Sequence, residues 1–193
     1  MFTSYFIKMI LMLGGMRIGK GFKIEGFPKI VGKKANITIG NNVSIMKNVE
    51  LKTRGGGKIQ ILNNVKIDNG VRIIAANNAT VKINNFAKIM YNAYVGGGAD
   101  ISLGIKSGIS AFTMVNSSLH LFDKSSNFMD QGYKHEEIFI GNDVQIGSHS
   151  YIMPGVRISN KAMISTHSVV QDNIPEFSIV SGIPARVVGT RKE

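Results

Sequence analysis

The chain has 193 residues, which is enough for one domain with at most a small appendage. It contains no cysteine, which excludes a disulfide framework and a thiolate-ligated zinc site. Its net charge of +11 is explained equally by a solvated basic face and by an anionic partner, and the absence of tryptophan and of any known base-reading motif argues against nucleic acid.

The first 16 residues are mostly apolar and contain a single charge, Lys8. This stretch is too short to cross a bilayer, and it lacks the positively charged start and the cleavage site of a signal peptide. We expect residues 1–16 to form a helix that covers one open end of the domain. Residues 1–36 contain seven Lys and Arg against Glu25 alone. Peripheral contact of residues 1–34 with an anionic membrane is therefore the alternative.

Branched apolar residues then recur at every sixth position through most of the chain. A period of six matches neither the repeat of a helix nor the alternation of an ordinary strand. It is typical of a solenoid whose three flat faces each use one hexad, which predicts a β-solenoid over 17–174. The seven inward triplets are Ile18/Ile24/Ile30, Ile39/Ile45/Leu51, Ile61/Ile67/Ile73, Ile83/Ile89/Val95, Leu103/Ile109/Val115, Ile140/Ile146/Ile152 and Ile158/Ile164/Val170.

Successive triplets begin 21, 22, 22, 20, 37 and 18 residues apart, so each excess over about 18 must leave the solenoid as a loop. Small excursions are expected at 54–57, 76–78 and 96–98, because Gly and Asn tolerate left-handed backbone angles. The large excursion, 119–139, is expected to protrude, and long loops on rigid scaffolds often carry function. Residues 175–193 are predicted to form a C-terminal tail or cap.

Two segments near the C-terminal end carry a resemblance. Residues 140–156 read Ile-Gly-Asn-Asp-Val-Gln-Ile-Gly-Ser-His-Ser-Tyr-Ile-Met-Pro-Gly-Val, and the tail contains Gly-Ile-Pro-Ala-Arg at 182–186. Both resemble the hexapeptide-repeat acyltransferases, most closely the sugar O-acetyltransferases of surface-polysaccharide synthesis, beside the galactoside and maltose acetyltransferases. The resemblance implies an all-β, left-handed parallel β-helix of about seven coils that forms a homotrimer. It also implies active sites between subunits, acetyl-CoA as co-substrate and no metal.

In the resembling enzymes, a histidine that opens the long loop acts as general base, and His120 has that position here. A nearby carboxylate would fix the imidazole tautomer, and Asp123 is the candidate for this role, with Asp130 and a backbone carbonyl as the alternatives. The backbone N–H of Ser148 is expected to stabilise the developing oxyanion. Together these groups would support acetyl transfer at near-neutral pH.

The coenzyme is expected along the last coils, where relatives have small residues that leave backbone N–H groups open to the pantetheine arm. The matching positions here are Gly147, Ser148, Ser165 and Thr166. Two basic residues of the tail are expected near the nucleotide phosphates, because phosphate contacts require charge. These two residues are Arg186 and Arg191.

The remaining candidates carry weaker signals. Asn92 is a candidate sugar-binding residue, expected below the loop that carries His120, with a structural corner asparagine as the alternative. His135 is expected to be a solvated loop residue. His149 and His167 lie 18 residues apart and are expected to stack at one corner, but two ligands are too few for a catalytic metal site.

The resemblance, together with the matching residues His120 and Ser148, implies transfer of acetyl from acetyl-CoA to a hydroxyl of a sugar or glycan precursor. Direct transfer is favoured, because the chain has no cysteine and no serine pairs recognisably with a base. N-acetylation of an amino sugar or nucleotide sugar is the nearest alternative; a non-catalytic binding or scaffold β-helix and a metal-dependent hydratase are the others. The expected location is cytoplasmic, at the inner membrane face if residues 1–34 contact lipid.

Overall fold

The computed structural model describes residues 2–123 and 126–192. Met1, Lys124, Ser125 and Glu193, which belong to the predicted N-terminal cap, protruding loop and tail, lie outside the described residues. The first element is helix α1, Phe2–Leu13, as the apolar start of the sequence predicts.

Short strands then form three long parallel sheets, and each coil adds one strand to each sheet. The first sheet consists of β1 Arg17–Ile18, β4 Ile37–Ile39, β7 Lys58–Ile61, β10 Thr80–Ile83, β13 Ile101–Leu103, β18 Ile138–Ile140 and β21 Arg157–Ile158. The second consists of β2 Lys23–Ile24, β5 Ser44–Ile45, β8 Lys66–Ile67, β11 Lys88–Ile89, β14 Gly108–Ile109, β19 Gln145–Ile146, β22 Met163–Ile164, β24 Ser178–Gly182 and β25 Ala185–Thr190. The third consists of β3 Lys29–Val31, β6 Glu50–Thr53, β9 Arg72–Ala75, β12 Tyr94–Gly97, β15 Met114–Asn116, β20 Tyr151–Ile152 and β23 Val169–Val170.

The core confirms the six-residue phase. Every predicted inward residue is buried except Ile30, which is partly buried and packs against the core. The parallel register places equivalent residues of successive coils directly above one another, so that Ile45, Ile67 and Ile89 stack in one inward row. Each coil therefore gains its apolar contacts from its two neighbours, as in other solenoids. The architecture is that of a left-handed parallel β-helix.

Three corners join the sheets: the first corner links the first and second sheets, the second corner links the second and third, and the third corner links the third sheet to the next coil. Left-handed backbone recurs at these turns, with φ of 60° at Asn64, 58° at His149 and 51° at Asn77. Asparagine and glycine adopt this conformation at low cost, which explains why both residues punctuate the sequence. The predicted small excursions all lie at the third corner.

The large excursion is an antiparallel hairpin at the third corner, formed by β16 Ser118–His120 and β17 Tyr133–His135. It includes a short 3-10 helix, Phe128–Asp130. The solenoid resumes at Ile138, slightly before the predicted end of the loop. The reason is that Ile138 alternates with Ile140 on the inward side and pairs with Ile101 of the first sheet.

Both ends of the solenoid are covered. Ile7 and Leu11 of α1 are buried against the first coil, and the Ser4 hydroxyl bonds to both backbone groups of Ile24 at 3.0 and 3.2 Å. A second 3-10 helix, Lys34–Asn36, lies between the first two coils. At the other end, β24 continues the second sheet and turns back as β25. Among the described residues, no helix is long and apolar enough to span a membrane.

Candidate active site

The hairpin at the third corner carries His120 at the end of β16. His120 lies directly opposite Tyr133 in the cross-strand register. The two ring centroids are 3.9 Å apart with 39° between the planes, and His120 is half-buried. Cross-strand ring contacts restrict side-chain rotation. The imidazole is therefore held in one region of the hairpin surface, and Tyr133 is a site residue that the sequence pattern did not single out.

The side chain of Gln131 bonds to the backbone of the residues that follow His120. The Gln131 side chain accepts a hydrogen bond from the Asp123 N–H at 2.8 Å and donates to the Asp123 carbonyl at 3.0 Å and the Ser126 carbonyl at 2.7 Å. The backbone of Asp123 is thereby fixed three residues beyond His120, while its side chain is exposed. Its proposed role in orienting His120 stays a prediction.

His135 anchors the hairpin to the solenoid. Its Nδ1 lies 2.8 Å from the Ser118 hydroxyl and its Nε2 lies 3.0 Å from the Asn77 amide nitrogen. Ser118 also accepts the Gly98 N–H at 2.8 Å. A Cβ built on Gly98 would lie 2.5 Å from His135 Nδ1, so glycine there makes room for the ring. His135 is exposed, as expected of a loop residue, but both its ring nitrogens have partners.

The first corner satisfies its own backbone through a ladder of asparagines. The N–H of Asn41 donates to Asn63 Oδ1 at 2.7 Å, and four other steps between coils have the same kind of bond. Each side chain thus takes up an N–H group that the turn would otherwise leave without an acceptor. The ladder residues are Asn41, Asn63, Asn85, Asn142 and Asn160.

The second corner has no such ladder at Ser148 and Thr166. Within residues 2–123 and 126–192, the backbone N–H groups of Ser148 and Thr166 donate no hydrogen bond. The amides of their neighbours Gly147 and Ser165 are occupied, by the Ile164 and Val180 carbonyls at 2.8 and 2.9 Å. A Cβ built on Gly147 would lie 2.5 Å from the Thr166 nitrogen. Two open donors therefore stand one coil apart, where a ligand carbonyl or oxyanion can meet them.

Stacked rings flank these two amides along the second corner. Phe112 stacks on His149 with centroids 4.9 Å apart, and His149 stacks on His167 at 4.9 Å with only 6° between the planes. Tyr91 meets Phe112 edge to face at 5.4 Å. The predicted stacking of the two histidines is confirmed, and the same phase could have added Tyr91 and Phe112. Among the described residues, no three His, Asp or Glu side chains are grouped so that they could hold a metal ion.

Asn92 also lies at the second corner, in left-handed backbone with φ of 52°. Its Oδ1 occupies the space above Gly70, where a Cβ would approach it to 1.9 Å. The hairpin instead leaves from the third corner, so the prediction that Asn92 lies below the His120 loop is wrong. The sequence spacing already indicates this position. Asn92 falls midway between Ile89 of the second sheet and Val95 of the third, and therefore at the corner that joins these two sheets. A role in sugar binding stays a prediction.

The two tail arginines form intramolecular ion pairs. Arg186 Nη1 lies 2.9 Å from Asp172 Oδ2. Arg191 Nη1 lies 3.2 Å from Asp143 Oδ2 and also donates to the Lys161 carbonyl at 3.3 Å, which places it at the first corner. Arg191 is thus at a different corner from Ser148, and the phosphate contacts of both arginines stay predictions.

The outer face of the third sheet changes from charged to apolar along the solenoid. Glu50 bonds to Arg72 at 2.8 Å and lies 3.4 Å from Lys29. Burial alone would raise the pKa of Glu50, but the hydrogen bond and charge of Arg72, with Lys29, outweigh it and lower the pKa below its usual value. Burial raises the pKa of Tyr94, the next residue in this row. Met114, Tyr151 and Val169 continue the row.

No protein-family model matches the sequence. A chloramphenicol acetyltransferase of Klebsiella aerogenes is 34% identical over 101 residues, 45% of this chain and 48% of the relative, so the chain spans about half its length. A dTDP-4-amino-4,6-dideoxy-D-glucose acyltransferase of Escherichia coli is 28% identical over 165 residues, 81% of this chain and 83% of the relative. WbbJ of Escherichia coli strain K12, a putative lipopolysaccharide biosynthesis O-acetyl transferase, is 24% identical over 169 residues, 86% and 78% of the two chains.

Among solved structures, a mutant of AntD, an N-acyltransferase from Bacillus cereus, superposes with a TM-score of 0.65 and 21% sequence identity. The match covers 96% of this chain and 89% of AntD, whose structure contains dTDP-4-amino-4,6-dideoxyglucose and coenzyme A. This likeness shows the fold. The chain therefore has the left-handed β-helix fold, and the sequence relatives that it matches are, like AntD, named acetyltransferases and acyltransferases.

Proposed function

We propose that this protein transfers acetyl from acetyl-CoA to a hydroxyl of a sugar or glycan precursor. The observation that carries the proposal is the pair of open backbone donors at Ser148 and Thr166 on the second corner. Coenzyme A has two amide carbonyls in its pantetheine arm and a thioester carbonyl at its end, so it suits such donors. The names of two relatives, an O-acetyl transferase and a nucleotide-sugar acyltransferase, support the same reaction class.

In this mechanism His120 removes the proton from the acceptor hydroxyl as its oxygen attacks the thioester carbonyl. The Ser148 N–H donates to the oxygen that becomes negative in the tetrahedral intermediate, while the Thr166 N–H holds the pantetheine arm. The C–S bond then breaks, and protonated His120 returns the proton to the leaving thiolate. One histidine thus serves as base and acid without a covalent acyl-enzyme.

A homotrimer is part of the proposal. His120 is carried by the third corner and Ser148 by the second, so one chain does not bring them to a common cleft. A neighbouring copy can present its second corner to the hairpin, and the apolar outer row Tyr94, Met114 and Tyr151 offers a surface for that contact.

A cytoplasmic location also belongs to the proposal, because acetyl-CoA is available there.

N-acylation of an amino sugar on a nucleotide is the second candidate. It is favoured by the relative that aligns over four-fifths of both chains, which acts on dTDP-4-amino-4,6-dideoxy-D-glucose. An uncharged amine attacks through its lone pair without prior deprotonation, but its nitrogen must lose a proton as the amide forms, so the same base can serve both acceptors. The two reactions therefore share the site and differ in the acceptor.

The test is free-thiol release from acetyl-CoA over a panel of sugars, amino sugars and nucleotide sugars. His120→Ala is expected to lower acceptor-dependent turnover by about two to four orders of magnitude while coenzyme binding, measured by calorimetry, stays intact. Lys134→Ala, on the same hairpin, is the control and should retain activity. No thiol release with any acceptor, together with no detectable binding of coenzyme A, would instead favour a scaffold role.

A further inference from the structure

Helix α1 is apolar on two opposite sides. Ile7 and Leu11 are buried against the first coil. At about 100° per residue, the side of the helix opposite this pair carries large apolar side chains. They are exposed to 73% at Tyr5, 54% at Phe6, 43% at Met9, 46% at Met12 and 81% at Leu13.

Such a surface is unusual for a helix that lies alone on a domain. A helix that is hydrophobic all round is normally enclosed by protein or lipid, and contiguous exposed apolar patches mark interaction sites. This helix has 12 residues and does not span a bilayer. Its outer side lines a shallow groove of about 320 Å³. This side therefore suits an apolar partner on whose surface the helix can lie without passing through it.

The charges around the helix indicate what that partner is. Arg17, Lys20 and Lys23 are exposed on the first coil beside α1, and Glu25 is the one acid among residues 1–36. The asymmetry extends further, because residues 1–116 contain 16 Lys and Arg against 4 Asp and Glu, whereas 117–193 contain 7 against 8. A second copy docked on this face would bring two basic surfaces together, which is unfavourable.

We propose that the outer face of α1 docks on the surface of an anionic lipid bilayer. Tyr5, Phe6 and Leu13 enter the boundary between headgroups and acyl chains, and the basic first coil meets the anionic headgroups. Ser4 and Lys8 bind the first coil, with the Lys8 ammonium 2.5 Å from the Gly19 carbonyl, so the helix carries the solenoid with it. The proposal does not depend on the acyltransferase reaction.

Co-sedimentation of the full chain with vesicles tests it. Wild type is expected to bind vesicles of phosphatidylcholine with phosphatidylglycerol and to be released by salt, since exposed charges are screened. The triple variant Tyr5→Ser, Met9→Ser and Leu13→Ser should lower the vesicle partition coefficient by about tenfold or more. Ile183→Ser with Val188→Ser, two residues exposed to 74% and 64% near the other end, is the matched control and should bind as wild type.

Lys20→Glu with Lys23→Glu is expected to weaken binding to the anionic vesicles and to leave the weak binding to pure phosphatidylcholine unchanged. Absence of wild-type binding, or equal binding by the triple variant, would overturn the proposal. So would a fall in the molecular mass of the triple variant in solution, since α1 would then be an interface between copies. Turnover of a soluble acceptor by the triple variant reports on catalysis separately, so either proposal can fail alone.

Discussion

Glu50 shows how one side chain on the outer face of a solenoid couples stability to pH. Its carboxylate is nearly buried, with 10% of the side chain exposed, and it is held between Arg72 and Lys29 of adjacent coils. Folding lowers the pKa of Glu50 from the value of 4.5 that an unperturbed glutamate has. Its contribution to stability is therefore complete above about pH 4.5 and is lost as the pH falls through the lowered pKa.

Arg72→Met should remove the main partner of this carboxylate and reduce the free energy of unfolding by about 1–3 kcal/mol at neutral pH. The difference from wild type should shrink in acid, where Glu50 becomes protonated in both proteins. Chemical denaturation at neutral and acidic pH measures both effects. Lys82→Met, at an exposed position on the first sheet, is the control and should change stability little; a pH-independent deficit in Arg72→Met would contradict the electrostatic account.

Single residues also show what spacing can predict. The hexad phase assigned the inward residues correctly, because a flat face of a parallel coil leaves one side-chain direction for the core. The same phase assigns every residue to a face or a corner, and it would have placed Asn92 at the second corner, away from the hairpin. The open amides at Ser148 and Thr166 were expected from resemblance alone, because hydrogen bonds of the backbone depend on neighbouring coils.

At the scale of elements, the hairpin of β16 and β17 is tied to the solenoid through His135. The ring bridges Ser118 of the opposite strand and Asn77 of the solenoid, 58 residues away in sequence. Sequence patterns give no sign of such a contact, because it depends on the register of the hairpin and on the length of two excursions. That is why His135 reads as an ordinary loop residue in the sequence.

His135→Ala is expected to loosen the hairpin, because the Asn77 amide and the Ser118 hydroxyl lose a shared partner. Amide hydrogen exchange over residues 118–120 and 133–135 should become about tenfold faster, which corresponds to the loss of one typical net hydrogen bond. The solenoid amides should exchange as before. Lys134→Ala, which removes an exposed ion pair with Glu136, serves as the control, and equal acceleration there would refute the anchoring role.

At the scale of the whole molecule, the apolar part of the third sheet bears on assembly. Met114→Lys would place a charge in the middle of the outer row, where Met114 is 43% exposed in one chain. We expect this variant to have a lower mass in solution than wild type and to lose turnover, because the proposed cleft lies between two chains. Light scattering after size-exclusion chromatography measures the mass. Ser102→Lys, on the outer face of the first sheet, should keep the wild-type mass; an unchanged mass in Met114→Lys would exclude this face as the interface.

The caps have a consequence for how copies of this chain avoid one another. A parallel β-helix ends in unpaired strand edges, and every coil is a template for the next, so a bare end invites head-to-tail growth into an open filament. Ser4 and Lys8 fill that edge with side-chain bonds to Ile24 and Gly19, and the antiparallel turn of β25 interrupts the repeat at the other end. Helix α1 therefore blocks the addition of a further coil at this end, which limits the length of an assembly whose coils could otherwise pair with one another.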